Sequence, residues 1–298
     1  MKANNQRLAD YLALTKPGII RMCLLMTAGG LWLAPGSSSA SLWLSALIGS
    51  SLAVASANAF NMVWEREGDR LMERTRDRPL AAGRLEVGKA SAFALALGVA
   101  AMVILALGTN LLTTVLAAFA LVSYAVVYTP LKRRTPLALI IGAVPGAVPP
   151  LLGWTAATGS LDLPGAVLFG ILLVWQMPHF LAISIFRKQD YANAGIKCVP
   201  VVRGELVAKV QAVVWALVLV PLSMTLTPLG VTSQLYMIVA GLAGVAMLAY
   251  ALEGLRVTEP AAQTKWARQL FVLSLIYLPV LTAALVVDIL VLGSEVPL

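Results

Sequence analysis

The chain has 298 residues, of which 59% are hydrophobic and only 12% are charged. Its mean hydropathy of +0.85 excludes an ordinary water-soluble globular domain of this length. The composition therefore predicts a polytopic membrane protein. A formal net charge of +8 could by itself indicate a nucleic-acid partner, but the placement of the basic residues gives it another origin.

Nine apolar stretches are long enough to cross a hydrocarbon core of about 30 Å, which needs roughly 20 residues per helix. In chain order they are Ile19–Leu33, Leu42–Val63, Ala90–Leu107, Leu111–Tyr128, Leu137–Ala157, Pro164–Phe186, Val210–Leu226, Gln234–Leu252 and Leu270–Leu292. The first is short, so we expect residues 12–16 to extend it or the helix to tilt. No small-residue cleavage site follows it, which predicts that it is retained. The expected fold class is all-α, a bundle of nine transmembrane helices.

The basic residues predict the orientation of this bundle. All 22 Lys and Arg residues fall at the N-terminal end or in the loops after spans two, four, six and eight. The positive-inside rule then predicts a cytoplasmic N-terminus and an external C-terminus. We expect the membrane to be a bacterial inner membrane, in which the external side is the periplasm. We expect a single domain over 1–298, whose cytoplasmic segments are 1–17, 64–89, 129–136, 187–209 and 253–269. This bias accounts for the net charge without nucleic acid.

The most polar stretch of the chain runs from residue 58 to residue 84. Asn61, Glu65 and Asp69 are spaced four apart, so on a helix they would share one face. A second row at the same spacing consists of Arg66, Arg70, Arg74 and Arg78. Carboxylates for a metal ion, with guanidiniums beside them, suit a diphosphate. The same spacing also occurs in ordinary solvated helices with internal ion pairs, and the pattern alone leaves both interpretations open.

Two further cytoplasmic loops contain charged candidates. In the loop after span six, Asp190 follows Lys188, and this single carboxylate would complete a Mg2+ site if it faced Glu65 and Asp69. It could equally be an ordinary loop acid. The loop after span four contains three consecutive bases, Lys132, Arg133 and Arg134. They set topology, and they could also bind a diphosphate leaving group.

His179 is the only histidine of the chain, and it lies inside span six. It is eight residues before Arg187, or about 12 Å along a helix. An ionisable group at that depth is a functional candidate, because burying it in lipid is costly. A histidine there could ligate haem iron or move a proton. The alternative is a hydrogen-bonded core histidine on a helix kinked at Pro178.

Four segments resemble the UbiA-type intramembrane prenyltransferases, and the similarity extends over almost the whole chain. They are NMVWEREGDRLMERTRDRPL, YTPLKRRTPLALIIGAVPGAVPPLLGW, WQMPHFLAISIFRKQDYANAGI and VPVVRG. The first is similar to the family motif Asn-x-x-x-Asp-x-x-x-Asp, with Glu65 in place of the first aspartate, as is common in the branch that modifies haem. The wider family has paired aspartates in a second motif. Here Ala194 stands four residues after Asp190, so the second acidic cluster is depleted.

The resemblance implies helices around a central cavity that opens to the cytoplasmic side. It implies transfer of the farnesyl group of farnesyl diphosphate to a vinyl group of haem b, giving the hydroxyethylfarnesyl side chain of haem O for haem-copper oxidases. The implied ligands of a Mg2+ cofactor, and the catalytic set, are Asn61, Glu65, Asp69 and Asp190. The implied diphosphate-binding residues are Arg66, Arg70, Arg74, Lys132, Arg133, Arg134 and Lys188. His179 would bind haem, and haem A synthase or a terminal oxidase is the expected partner in the bilayer.

Three alternatives stay open at the level of sequence. A related prenyltransferase acting on an aromatic or quinone-precursor acceptor would use the same diphosphate site without needing His179. A small-molecule transporter would have polar groups towards both membrane faces, whereas the predicted periplasmic loops are nearly bare. A non-catalytic assembly factor of a respiratory oxidase would not require Asn61, Glu65 and Asp69 to face one cavity.

Overall fold

The computed structural model describes residues 2–36 and 39–292. All regular structure in these two ranges is helical, and no strand occurs among the described residues, which confirms the all-α prediction. Residues 37–38, in a predicted periplasmic loop, and the C-terminal residues 293–298 lie outside the described residues.

The chain forms two compact units, and the first comprises Met1–Leu161 with Ala192–Ile196. Its helices are α1 Lys2–Thr15, α2 Pro17–Leu33, α3 Ala40–Asp69, α4 Val87–Gly108, α5 Leu111–Val122 and α6 Ala138–Thr158. The span that begins with α5 continues through a π-helical segment, Ser123–Tyr128, into the short α-helical turn Thr129–Leu131.

The second unit comprises Asp162–Tyr191 and Lys197–Leu298. It contains α7 Leu163–Phe186, α9 Val199–Val202, α10 Glu205–Met224, α11 Gln234–Glu253 and α12 Pro260–Leu292. A 3-10 turn, Gly254–Arg256, follows α11. The short helix α8 is Lys188–Asn193, and its last two residues already belong to the segment 192–196 of the first unit.

Eight helices in the described part of the chain are long and apolar enough to cross a membrane, and a bent pair, Gln6–Thr15 with Pro17–Leu33, makes nine if it counts as one span. The bend is 44° and falls at Lys16, so residues 12–15 precede the first span in a separate helix at an angle to it. Lys16 has φ 53°, in the left-handed region that non-glycine residues seldom occupy. Pro17 contributes to the break because proline disfavours the α conformation in the residue before it.

Four helices that start at the predicted periplasmic side have a polar residue as their N-cap. The side-chain oxygen of each cap accepts a hydrogen bond from a backbone N–H of the first turn, which would otherwise lack a partner. The caps are Ser39 of α3, Asn110 of α5, Asp162 of α7 and Ser233 of α11. These four polar residues therefore serve helix initiation.

Within the first unit, α2 and α6 pack with their backbones in close contact. A Cβ atom on Gly30 would lie 2.0 Å from the carbonyl oxygen of Pro150, and one on Gly153 would lie 2.0 Å from that of Thr27. Membrane helices commonly approach through such small residues, because packing rather than hydrophobic burial drives their association. This contact fixes the position of α2 and hence of the bend at Lys16.

Candidate active site

The three oxygen-bearing side chains predicted to share a face lie on one helix. The second span was expected to end at Val63, but α3 continues to Asp69, so Asn61, Glu65 and Asp69 occupy consecutive turns. Asn61 and Asp69 are each 1% exposed. Burial of an unpaired carboxylate is costly, so a buried Asp69 requires a partner.

A basic side chain binds each of these three side chains. The pairs are Lys16 Nζ to Asn61 Oδ1 at 2.7 Å, Lys132 Nζ to Glu65 Oε1 at 2.7 Å and Arg78 Nη1 to Asp69 Oδ2 at 2.8 Å. Arg78 Nη1 also donates to the other oxygen of Asp69 at 2.9 Å. Three basic side chains are therefore gathered where the sequence predicts a metal and a diphosphate.

Lys132 is the cation that follows the fourth span, and its ammonium lies 4.3 Å from the centre of the Tyr128 ring. Burial by itself favours the neutral amine, but Tyr128, the Glu65 carboxylate and Tyr124 outweigh it and raise the pKa of Lys132 well above its usual value. Lys132 is therefore charged at neutral pH and can attract an anionic ligand.

The π-helical segment orients the amide of Asn61. Thr129 Oγ1 donates to the carbonyl oxygen of Tyr124 at 2.8 Å and accepts from Asn61 Nδ2 at 3.2 Å. The amide nitrogen of Asn61 is thus committed to Thr129, and its oxygen faces Lys16. Single π-helical turns often occur at functional sites, and this one supports a predicted ligand.

A polar cavity of about 290 Å3 opens beside this face of α3. It is lined by five of the predicted site residues: Glu65, Asp69, Lys132, Arg133 and Arg134. Arg133 lies across α3, since a Cβ on Gly68 would come within 2.3 Å of its Nη2 atom. Both bases and acids predicted for a diphosphate site therefore line one cavity in the first unit.

The predicted second row of arginines does not continue past the end of α3. Thr75 Oγ1 donates to the carbonyl oxygen of Asp69 at 2.9 Å, which satisfies the end of the helix, and residues 70–83 form turns. Arg74 is exposed there, so the prediction of one row through Arg74 and Arg78 is wrong.

Arg66 and Arg70 both bind the exposed carboxylate of Glu67. The distances are 3.4 Å from Arg66 Nε and 2.8 Å from Arg70 Nη1. Arg70 Nε also donates to the carbonyl oxygen of Ala81 at 2.9 Å. Surface pairs of this kind contribute little to stability, so both guanidiniums could change partner at low cost.

The donor chemistry of the polar cavity fits Mg2+ that arrives with a phosphate ligand. In the described part of the chain no group of three His, Cys, Asp or Glu side chains is placed to hold a metal by itself. Mg2+, however, is commonly bound by one or two carboxylates plus substrate phosphates. Glu65 and Asp69 supply two hard carboxylates at the cavity wall, and Asn61 supplies an amide oxygen one turn away.

The second unit contains the other charged candidates. Arg187 Nη1 lies 3.3 Å from Asp190 Oδ2, and Lys188 Nζ lies 2.8 Å from Glu205 Oε1. Each predicted residue thus has an oppositely charged partner in its own unit. Ala194, at the place of the missing second acid, belongs to the first unit and is buried.

His179 lies in α7 of the second unit and is 9% exposed. Its ring stacks on Trp175, with centroids 5.0 Å apart, and lies 4.8 Å from the ring of Phe271. Its Nδ1 atom is 2.9 Å from Ser274 Oγ on α12. The histidine is therefore hydrogen-bonded and surrounded by aromatic rings. This environment is compatible with both predicted roles of His179, a residue that binds haem and a hydrogen-bonded core residue.

Sequence reasoning missed three contact residues of these sites. Lys16 was counted only as a topological charge, although its position before Pro17 at the start of a short span was a signal of an unusual backbone. Arg78 was assigned to the predicted row of arginines, whereas it binds Asp69. Ser274 gave no signal, because nothing local connects it to His179, which is 95 residues away.

Comparison with known proteins supports the resemblance of the sequence to the UbiA family. A model of the UbiA prenyltransferase family matches residues 23–276. The protoheme IX farnesyltransferase of Myxococcus xanthus is 43% identical over 280 residues, covering 94% of each chain. That of Sorangium cellulosum is 50% identical over 242 residues, covering 81% of this chain and 85% of the other.

Solved structures show the same fold at low sequence identity. A structure from work on digeranylgeranylglyceryl phosphate synthase has a TM-score of 0.80 at 18% identity, covering 95% of this chain and 98% of the other. A UbiA homologue from Archaeoglobus fulgidus, bound to GPP and Mg2+, has a TM-score of 0.66 at 15% identity, covering 93% and 99%. With the family match spanning most of the sequence, the chain belongs to the UbiA prenyltransferase family.

Proposed function

We propose that this protein transfers the farnesyl group of farnesyl diphosphate to a vinyl group of haem b and so makes haem O, as a protoheme IX farnesyltransferase. The observation that carries the proposal is the 290 Å3 cavity, where two carboxylates and three bases of the predicted diphosphate site converge. The name shared by the relatives and the buried His179 support haem as the acceptor.

The basic residues bind the diphosphate end of the donor. Lys132, Arg133 and Arg134 line the cavity, and Lys16 and Arg78 bind side chains that face it or lie one turn away. Fixed positive groups stabilise the charge that develops on a departing diphosphate. Arg66, Arg70, Arg74 and Lys188 are the outer members of this proposed set.

Asn61, Glu65 and Asp69, with Asp190 as a further candidate, would hold Mg2+. When bound there, the ion would neutralise diphosphate charge and favour its departure. The oxygens of the first three now bind Lys16, Lys132 and Arg78, so these cations would pass to the diphosphate oxygens. The Archaeoglobus homologue is bound to GPP and Mg2+, which supports Mg2+ and a prenyl diphosphate as ligands of this chain.

The apolar part of the first unit suits the prenyl chain. A smaller cavity of about 90 Å3, lined by α2, α3, α5 and α6, has mostly aliphatic walls and includes Asn58 and Tyr124. Asn58 is one turn before Asn61, so this space begins near the polar cavity. Helix-lined apolar walls exclude water from a reactive allylic carbon.

The acceptor would be bound through His179. In the reaction, the bond from C1 of the farnesyl group to oxygen breaks and its electron pair leaves with the diphosphate. The vinyl electron pair of haem forms the new carbon–carbon bond. Water then adds to the resulting cationic carbon and loses a proton, which completes the hydroxyethyl arm.

The chain works in this proposal as one prenyltransferase domain over 1–298 in the bacterial inner membrane, with its N-terminus cytoplasmic and its C-terminus periplasmic. The loops 64–89, 129–136, 187–209 and 253–269 are then cytoplasmic, on the side where the cationic cavity receives diphosphate. Haem A synthase or a terminal oxidase would take the product.

The test uses purified protein in detergent with haem b, farnesyl diphosphate and Mg2+. Extracted pigments are separated by chromatography and weighed by mass spectrometry. We expect a later-eluting haem that is heavier by a farnesyl group plus a hydroxyl group. Absence of this product, together with prenylation of an aromatic acid or quinone precursor, would contradict haem as the acceptor.

A further inference from the structure

The hydrogen bonds of Ser274 decide which nitrogen of His179 carries the proton. Besides its contact with His179 Nδ1 at 2.9 Å, Ser274 Oγ lies 2.6 Å from the backbone carbonyl oxygen of Phe271. A carbonyl oxygen has no proton to give, so at this distance the serine hydroxyl must donate.

A hydroxyl has only one proton, and Ser274 uses it on Phe271. The contact with His179 therefore requires the histidine to be the donor. Nδ1 carries the hydrogen, and Nε2 carries the lone pair. The described residues offer Nε2 no hydrogen-bond partner, so its lone pair is not used within this part of the chain.

Ser274 is itself held in place by the aromatic wall. Trp175 Nε1 donates to the backbone carbonyl oxygen of Ser274 at 2.7 Å, and Trp175 lies one turn before His179 on α7. The two helices α7 and α12 are thus joined at one residue by two hydrogen bonds. Ser274 is fully buried, which shields both bonds from competing water.

We propose that Ser274 is a positioning residue that holds His179 as the Nδ1–H tautomer, so that Nε2 binds the iron of haem. This inference rests on the proposed function, which assigns haem to His179. Iron is bound by an unprotonated ring nitrogen, and the other N–H of such a histidine is generally held by an acceptor that fixes the ring. Ser274 supplies that acceptor.

A structurally similar serine provides a matched control. Ser184, on α7, is 5% exposed and donates to the carbonyl oxygen of Leu181 at 2.7 Å. It thus repeats the burial and the backbone hydrogen bond of Ser274, but it has no bond to an imidazole among the described residues. A change in haem binding that both Ser184→Ala and Ser274→Ala cause is due to the loss of a buried hydroxyl. A change that only Ser274→Ala causes is due to the loss of the bond to His179.

The first experiment titrates ferric haem b into the full chain in detergent and records the Soret band, together with the iron–imidazole stretch of the ferrous form. We expect Ser274→Ala to weaken haem binding about 10-fold, the lower end of the cost of losing such a partner, and to lower the stretching frequency. Ser184→Ala should match the wild type, and Ser274→Thr, which keeps the hydroxyl, should restore most of the affinity. Equal spectra and affinities for both alanine variants would overturn the proposal.

A second experiment replaces the histidine itself. In His179→Gly, external imidazole should restore the histidine-type spectrum at lower concentration than 1-methylimidazole, which lacks the N–H that Ser274 accepts. This preference should vanish in the double variant His179→Gly with Ser274→Ala. Equal rescue by both compounds would overturn the role of Ser274.

Product formation by the wild type is measured in parallel. An active wild type with equal rescue by both imidazoles contradicts only the role of Ser274. An inactive wild type whose His179→Gly variant prefers imidazole contradicts the proposed function and upholds the tautomer.

Discussion

The amine of Lys16 lies 2.7 Å from Oδ1 of Asn61, although 45 residues separate them along the chain. The bend between α1 and α2 is anchored to α3 a second time, because Asn58 Nδ2 donates to the carbonyl oxygen of Thr15 at 3.1 Å. The left-handed backbone at Lys16 thus directs the amine of this residue towards the proposed diphosphate site. Lys16, at the break between these two helices, is therefore a candidate for the proposed site.

Replacing Lys16 should therefore impair the transfer reaction. A hydrogen bond to a charged group is worth about 1.5–3 kcal/mol, so we expect Lys16→Met to lower kcat/KM for farnesyl diphosphate by about 10- to 100-fold. Haem binding should be unchanged. The control is Lys89→Met, because Lys89 pairs with Glu86 on the exposed surface. A Lys16→Met enzyme as active as Lys89→Met would show that this amine does not contact the donor.

Asp69→Asn tests the buried carboxylate. It keeps the shape of the side chain but leaves the guanidinium of Arg78 without its counter-charge and removes a proposed Mg2+ ligand. We expect loss of product formation and, because breaking a buried pair costs about 3–5 kcal/mol, a lower melting temperature in detergent.

The matched control for Asp69→Asn is Asp77→Asn in the exposed turn region, which should keep activity and stability. Chromatography of the extracted haems and a thermal melt of each variant make the comparison. Normal product yield from Asp69→Asn would remove Asp69 from the site.

Neighbouring glycines of α2 should differ in their tolerance of alanine. A Cβ on Gly30 would collide with the backbone of Pro150, whereas one on Gly29 would meet nothing within 4 Å. Overpacking costs about 1–3 kcal/mol, so we expect Gly30→Ala to lower stability and Gly29→Ala to be neutral or slightly stabilising. Thermal unfolding of both in the same detergent decides the matter, and equal melting temperatures would contradict the close α2–α6 contact.

Removal of divalent metal should stop the transfer of the farnesyl group but leave the binding of haem unchanged. His179 is surrounded by Trp175, Phe271 and Ser274 in the second unit and has no carboxylate among its described contacts. We therefore expect EDTA to abolish product formation while leaving the spectrum of bound haem b unchanged, and added Mg2+ to restore activity. Product formation at full rate in EDTA would contradict Mg2+ dependence.

Much of the architecture could be predicted from the sequence because the signals are local. Hydropathy over about 20 residues located the spans, including the short first one that proved to be a bent pair. The spacing of Asn61, Glu65 and Asp69 placed them on consecutive turns of one helix, since a helix repeats nearly every four residues. The proposed acidic face was therefore determined by the sequence alone.

The partners of those side chains were decided only by tertiary structure. Lys16, Arg78 and Ser274 reach their contacts because helices distant in sequence pack together, or because a helix ends where a loop hydroxyl satisfies its last carbonyl groups. The same helix end removed Arg74 from the predicted row and turned Arg78 back onto Asp69. Helix periodicity is a property of neighbouring residues, whereas charge pairing and the proton position on His179 depend on which surfaces meet.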